Sequence, residues 1–480
     1  MRYDSSIREF LRTYVKAIQD SNAAIFAGAG LSRPAGYVDW KELLREVAED
    51  LQLNIDQEAD LIALAQYHVN EFNGRGKINQ ILIDEFTKSV TTTENHKILS
   101  LLPINTYWTT NYDQLIESNL ATAGKKVDKK MTPENLSYSV PGSDATVYKM
   151  HGDSTLPHDA VLTKDDFEGY DQKRELFSTA LRGDLVSKTF LFIGFSFDDP
   201  NLSQILSKIR ILLNENTRTH YCLMKKVNID DYKTEEDFLY AEIKQDLKIK
   251  DLKRYGIKVL LVDDYPDVTN LLQHISSLVL RKNVFVSGSA SNYGKWGEAK
   301  TFEFSTSLSK ALIKNNNNIV SGFGLGIGSC IISGALEELY SSDNKRVEDR
   351  LKCRPFPQMT TGEISRSELW TKYRKEMLTT VGVSVFIFGN KIDKDSKEII
   401  DATGMIEEFD ISIANGAIPI PVGATGFTSN KLWSKVINNF DKYVGIEELK
   451  SLYDDLGDES KTPEELIETI IKIISELAKH

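Results

Sequence analysis

A chain of 480 residues exceeds what one ordinary core supports and predicts two domains. Its 41% apolar and 27% charged residues are those of a soluble globular protein, and 58 basic against 70 acidic side chains, a net charge of −12, exclude wholesale neutralisation of a nucleic-acid backbone. No apolar run reaches the roughly 18 residues of a membrane helix, and the N-terminus MRYDSSIREF lacks the apolar stretch of a signal peptide. The reading is therefore an intracellular, cytoplasmic protein with neither nucleic acid nor membrane as partner. Cys222, Cys330 and Cys353 are too few and too scattered for a disulfide framework or a paired zinc site, so no metal is expected and the three are read as core or strand residues.

In chain order, residues 6–19 (SIREFLRTYVKAIQ) have helical spacing, and Ala23–Ala27 read as a short buried strand entering the loop GAGLSRPAGYVDW. Residues 41–100 are helical by pattern, as in WKELLREVAEDLQL and INQILIDEFTKSV, and form a helical insert. Strand-like runs return at 106–109, 146–150, 189–193, 220–224 and 257–262. Short apolar strands separated by helical stretches predict a doubly wound parallel sheet covered on both faces. Near residues 280–283 the pattern restarts: a strand at 284–286 leads into SGSASNYG, a helix at 299–314 precedes the turn Asn315–Asn318, and Ile319–Val320 lead into SGFGLGIGS. Further strands at 351–354, 383–388 and 417–422 and a closing helix at 463–478 complete a second, Rossmann-like α/β domain. The domains are read as 1–281 and 282–480.

Ligands of doubly wound sheets meet the carboxyl ends of the strands. Four such ends in the first domain carry small, polar or titratable residues: the glycine loop, Thr109–Asp113, His151-Gly152-Asp153 and Gly194–Asp199. Each alone is ordinary turn or cap chemistry. Arg33 also stands where a hydride-transfer fingerprint would carry its third glycine. In one crevice and in this order, however, the four resemble the sirtuin family. Its GAGxSxxxGIPDFR loop is matched by Gly28-Ala29-Gly30-Leu31-Ser32 and Gly36-Tyr37-Val38-Asp39-Trp40-Lys41. Its Gln-Asn-Ile-Asp is matched by Thr110-Asn111-Tyr112-Asp113, its His-Gly by His151-Gly152, and its Gly-Thr-Ser by Gly194-Phe195-Ser196.

The resemblance implies NAD as substrate, lying across the crevice with its nicotinamide end buried. It places Ala29, Gly30, Ser32 and Asp39 along the dinucleotide, with Arg33 free to add a contact to a phosphate. Asp113 would meet the nicotinamide carboxamide, and Gly194 and Ser196 the ribose. Asn111 would hold ribose hydroxyls and a water near the anomeric carbon, and His151 would serve as general base or ribose-hydroxyl partner. Loss of nicotinamide passes through an oxocarbenium-like ion and needs positioning and a trapping nucleophile more than a strong acid. Two departures matter: the four-cysteine zinc module is missing, and Trp40-Lys41 replace Phe-Arg. They favour water as acceptor, making an NAD glycohydrolase; an NAD-dependent protein deacylase or a non-catalytic nucleotide sensor are the alternatives.

In the second domain Ser287-Gly288-Ser289 and the glycines 322–328 read as phosphate or ribose cradles. This half resembles the SLOG superfamily of nucleotide sensors and phosphoribohydrolases. The family's Pro-Gly-Gly-x-Gly-Thr-x-Glu-Glu is split here into Phe388-Gly389-Asn390-Lys391, an insert, and Gly404-Met405-Ile406-Glu407-Glu408, without its Gly-Gly and Thr. Binding without hydrolysis is implied, with Ser287, Gly288, Ser289, Gly324, Gly326, Arg374, Lys391 and Glu407 around a nucleotide. Arg366 and Arg374 read either as phosphate ligands or as helix charges paired with Glu368 and Glu376.

A sirtuin-like domain followed by a SLOG domain resembles the effector family of the Thoeris antiphage system. The resemblance implies a TIR-domain partner that makes a cyclic ADP-ribose isomer, binding of that signal in the second domain, and destruction of cellular NAD in abortive infection. It also implies a homotetramer that holds the active site shut until the signal arrives, and the helix at 6–19 reads as a gate.

Overall fold

The computed structural model describes residues 3–197, 199–213, 217–341, 347–357, 363–393 and 396–478. The chain divides into two compact units, Met1–Ser276 and Ser277–His480. Among the described residues no helix is long and apolar enough to cross a membrane.

The first unit contains β1 (Ala23–Ala27), β2 (Thr106–Thr109), β3 (Val127–Lys130), β4 (Ala145–Lys149), β5 (Thr189–Ile193), β6 (His220–Lys225) and β7 (Ile257–Val262). They form one parallel sheet in the order β3-β4-β2-β1-β5-β6-β7. The central strands AAIFA, TYWT and TFLFI are buried along their whole length, which their unbroken runs of small, apolar and aromatic residues permit. The edge strand β3 is absent from the sequence reading because VDKK carries three charges. Asp128 and Lys130 nevertheless point inward, and pair at 2.9 Å.

Phe26, Trp108, Phe177, Phe190 and Phe192 fill the core on one face, Trp108 stacking on Tyr148 with ring centroids 4.2 Å apart. The indole nitrogen donates to Asp184 Oδ2 at 2.8 Å, so this buried ring leaves no polar atom orphaned. Helix Ser5–Gln19 buries Phe10, Tyr14 and Ile18, and Tyr14 Oη donates to the Ala24 carbonyl at 3.0 Å, tying the helix to β1.

The helical insert comprises Trp40–Leu43, Arg45–Asp50, Leu61–Phe72, Gly76–Phe86 and Glu94–Leu101. Asp39, Asp60 and Thr93 cap three of these by accepting from Glu42, Ala63 and His96 backbone amides. Leu43, Val47, Leu64 and Leu82 form its core, and Tyr112, Ala160 and Leu162 join the same cluster. The insert thus shares a core with the segments that follow β2 and β4.

The second unit contains β8 (Asn283–Ser289), β9 (Asn318–Ser321), β10 (Leu351–Cys353), β11 (Val383–Phe388), β12 (Asn390–Ile392), β13 (Ile399–Asp401) and β14 (Ile418–Pro421). Five of them make a parallel sheet in the order β10-β9-β8-β11-β14, and β12 and β13 pair as a separate antiparallel hairpin. That hairpin is the insert that separates Lys391 from Gly404, too short and too exposed to read from sequence. The closing helix Pro463–Leu477 buries Leu466, Ile470, Ile473 and Leu477 at helical spacing. Cys222 is buried in β6 and Cys353 lies exposed on β10, but Cys330 sits half-buried on helix Gly328–Ser341, which corrects its reading as a core or strand residue.

Candidate functional site

Strand order in the first sheet reverses at β1, with β2 on one side and β5 on the other, the place where such sheets form a ligand crevice. Ala27 lies opposite both Thr109 and Ile193, so the three following loops leave the sheet level with one another. The glycine loop and the loop after β5 interlock. Gly28 N donates to the Ile193 carbonyl at 3.0 Å and Gly30 N to the Gly194 carbonyl at 2.9 Å. A Cβ on Gly28 would lie 2.4 Å from Gly194 O, one on Gly30 2.9 Å from Gly194 Cα, and one on Gly194 2.2 Å from Leu31 N. The Cβ-free faces therefore admit the partner loop's backbone. Ala29 and Gly30 remain exposed at the start of the short helix Ala29–Ser32, and Gly194 takes φ +63°.

Asn111 binds this pair of loops to the third. Its Nδ2 donates to the Gly28 carbonyl and to Ser32 Oγ, both at 3.0 Å. Its backbone amide donates to Thr109 Oγ1, which itself donates to the Ala27 carbonyl, both at 3.0 Å. Asp113 Oδ1 accepts from Leu115 N at 2.9 Å, while its buried Oδ2 has no hydrogen-bond partner. A buried carboxylate oxygen left open in this way is expensive and marks a place for a ligand donor. Nearby, His96 Nε2 is also buried without a partner. Burial lowers the His96 imidazole below its ordinary range, and the Asp113 carboxylate opposes that shift.

His151 follows β4 and packs edge-on against Phe167 and Tyr170. Its Nε2 lies 3.0 Å from Asp199 Oδ2. Burial would raise the Asp199 carboxyl, but His151 and the amides of Leu202 and Asn201 outweigh burial and hold it below the usual range. Gly152 takes φ +88°, with Ala160 Cα 3.1 Å from where its Cβ would lie, which accounts for the glycine beside the histidine. Sequence reasoning assigned no role to Asp199 or His96, since both meet the site only through the fold. Arg33 pairs loosely with Asp39 at 3.7 Å, both side chains well exposed. Ser196 is exposed, and Asp198 lies outside the described residues.

In the second sheet the order reverses at β8, flanked by β9 and β11. Again the glycines serve backbone packing: a Cβ on Gly324 would lie 1.8 Å from Gly288 O, and one on Gly326 2.0 Å from Ala290 O. Ser287 Oγ donates to Glu408 Oε2 at 2.6 Å. Arg374 is buried, with Nη1 2.7 Å from Glu407 Oε2, Nε 3.2 Å from Glu408 Oε1, and its guanidinium over Phe356. Burial pushes the Glu408 carboxyl up, against Ser287 and Arg374. The pairing of Arg374 with Glu376 is corrected: residues two apart on a helix face different ways, and Glu376 pairs with Arg354 at 2.8 Å. Arg366 stacks over Trp370, its neighbour one turn on, and Glu368 pairs with Lys372. Lys391 Nζ donates to Thr403 Oγ1 at 2.9 Å. Beside Glu407 an open groove of about 500 Å³ runs between helices Arg366–Leu378 and Thr403–Ala414.

These two crevices are those of a Sir2-like protein joined to a SLOG domain. The family model described as SIR2-like domain matches residues 105–257, and the Sir2- and TIR-associating SLOG family matches 267–477. The chain is 47% identical over its whole length, and that of the relative, to NAD(+) hydrolase ThsA of Bacillus cereus (strain MSX-D12). It is 47% identical to the protein of that name from Acinetobacter baumannii (strain 532279), over 96% of this chain and 97% of the relative, and 46% identical to that of Cytobacillus dafuensis, over 97% and 96%. The chain belongs to the ThsA family.

Proposed function

We propose that the first unit, read as residues 1–281, hydrolyses NAD+ to nicotinamide and ADP-ribose and so depletes NAD in antiphage defence. The observation that carries this reading is the buried, open Oδ2 of Asp113 beside Asn111 at the switch point, with His151 on the next loop. Asp113 Oδ2 accepts from the carboxamide NH2 and seats the nicotinamide ring. The bond between C1′ and the ring nitrogen breaks, its electron pair neutralises the pyridinium, and positive charge passes to the ribose. The Nδ2 protons of Asn111 are taken by Gly28 and Ser32, so its Oδ1 is the atom that meets a water or ribose hydroxyl. Water adds to C1′ and gives its proton to the His151 imidazole, which Asp199 holds in place. Ala29, Gly30, Ser32, Arg33 and Asp39 line the phosphate side, and Gly194 and Ser196 the ribose side.

The second unit, read as 282–480, binds a cyclic ADP-ribose-type signal made by a TIR-domain partner and thereby opens the first. Arg374, Lys391 and Glu407 receive it, with Ser287, Gly288, Ser289, Gly324 and Gly326 lining the crevice. The name of the matched SLOG family, Sir2- and TIR-associating, supports that partner. The protein is read as a cytoplasmic homotetramer; Leu239, Ile243 and Leu247, exposed in a line on helix Glu235–Lys253, offer an apolar face for self-association.

The test incubates full-length protein with NAD+, with and without cyclic ADP-ribose isomers, and follows nicotinamide and ADP-ribose. Signal-dependent release of both, lost in His151→Ala, is expected. Equal behaviour of wild type and His151→Ala would overturn the site, and release that requires an acyl-lysine peptide would make the protein a deacylase.

A further inference from the structure

Lys149 ends β4 with a side chain that is wholly buried. An ammonium in that position is costly unless every proton has a partner. Its partners come from several segments. Nζ donates to the backbone carbonyls of Tyr112, at 3.3 Å, and Asp113, and lies 2.8 Å from Asp153 Oδ2 and 3.3 Å from Glu117 Oε1. Tyr112 and Asp113 belong to the loop after β2, whereas Lys149 and Asp153 each stand two residues from His151. One charged atom thus joins the segment bearing the open Asp113 carboxylate to the segment bearing the histidine.

The surroundings rule out a simple ion pair. Burial would lower the Lys149 ammonium, but Glu117, Asp153 and Asp113 together outweigh it and raise it; Lys129 adds a second cation 3.5 Å from Asp153 Oδ2. Asp153 has further support from Thr155, whose amide and hydroxyl donate to Oδ1 at 2.9 and 2.7 Å. Both Glu117 oxygens lack hydrogen-bond partners, and burial raises that carboxyl while Lys149 opposes the rise. The Tyr112 carbonyl also accepts from Ser154 N at 3.0 Å, so what the ammonium itself supplies is satisfaction of the Asp113 carbonyl in an irregular segment.

We propose that Lys149 is a positioning residue for nicotinamide departure: through the Tyr112 and Asp113 carbonyls its ammonium sets where Asp113 Oδ2 meets the carboxamide, relative to His151. This rests on the NAD-cleaving reading of the crevice. Ser154 N on the Tyr112 carbonyl and Leu115 N on Asp113 Oδ1 also hold this loop, but the Asp113 carbonyl is held by the ammonium, and small misplacements of a positioning group cost large factors in rate.

The test uses full-length protein with cyclic ADP-ribose isomers supplied singly, and measures NAD+ turnover, inhibition by each product and thermal midpoint. Lys149→Met alone leaves the buried Asp153 with only the more distant Lys129, 3.5 Å away, as its cation, so Lys149→Met/Asp153→Asn removes both charges of the close pair. In the double variant the inhibition constant for nicotinamide is expected to rise about tenfold, as for loss of one charge-assisted hydrogen bond, with that for ADP-ribose within about twofold of wild type. Wild-type inhibition by nicotinamide, or equal loss for both products, would overturn the positioning role. Glu117→Gln takes a charge from the cluster but leaves the ammonium on both carbonyls, so nicotinamide inhibition should hold there; a tenfold shift would overturn the route through the carbonyls. Asp113→Asn is the reference: an unchanged nicotinamide constant in that variant would overturn the crevice reading itself.

Discussion

Replacing Gly194 by alanine tests whether the two loops of the first crevice are interlocked. At φ +63° an alanine costs about 1 kcal/mol for left-handed backbone alone. Its methyl would then lie 2.2 Å from Leu31 N and 2.6 Å from Gly30 C, backbone atoms that cannot rotate aside. Such overpacking typically costs 1–3 kcal/mol, giving roughly 2–4 kcal/mol in all. For a unit of this size that lowers its melting midpoint by roughly 5–15 °C. Gly142→Ala is the matched control, since Gly142 has φ +67° and nothing within 4 Å of its added Cβ. It should lose only the conformational part, about 2–4 °C. Calorimetry of the full-length variants, with nicotinamide release measured well below both midpoints, supplies the comparison. Equal midpoints for the two variants would refute the interlock.

Three further outcomes are expected. Arg374→Ala strands Glu408 among buried partners and should destabilise the second unit by about 3 kcal/mol at pH 8. Glu408 already has a raised carboxyl, whose contribution to stability is present at low pH and is lost as pH rises through its folded value. Loss of the guanidinium raises it further, so thermal melts should show a smaller penalty at pH 5; a larger one there would contradict the assignment. Asp199→Asn should lower the rate of nicotinamide release about a hundredfold at unchanged KM, because the His151 ring loses its orienting partner. The depressed Asp199 carboxyl contributes stability above the unfolded carboxylate range, and the difference from wild type should fade as pH falls through its folded value. Leu239→Lys/Ile243→Lys should shrink the assembly in light scattering while the far-ultraviolet dichroism stays that of wild type.

Much of the fold is legible because the strands are short apolar runs closed by glycine or polar turns. The runs at 106–109, 189–193, 257–262 and 383–388 are strands with those bounds. What escapes is β3, where a buried ion pair replaces apolar alternation, and the β12–β13 hairpin, held by backbone pairing with little burial. In the candidate site the residue types are legible and their partners are not. Asn111 reaches Gly28 and Ser32 about eighty positions away, and Asp199 reaches His151 across two strands of the sheet. Lys149 reads as an ordinary strand residue until its ammonium is seen on the carbonyls of Tyr112 and Asp113. The glycines mislead in a specific way: an absent Cβ makes room, but sequence does not say whether a phosphate or a second loop will take it.

The Arg374 cluster bears on how the second unit would sense the proposed signal. Glu407 and Glu408, adjacent on helix Thr403–Ala414, already hold the guanidinium's Nη1 and Nε. On the proposed reading an incoming phosphate would compete with the carboxylates that hold Nε and Nη1. On that reading the resting chain carries its own competitor for the anion. Because both carboxylates stand on one helix, a ligand that drew the guanidinium away from Glu408 would act on that whole helix at once.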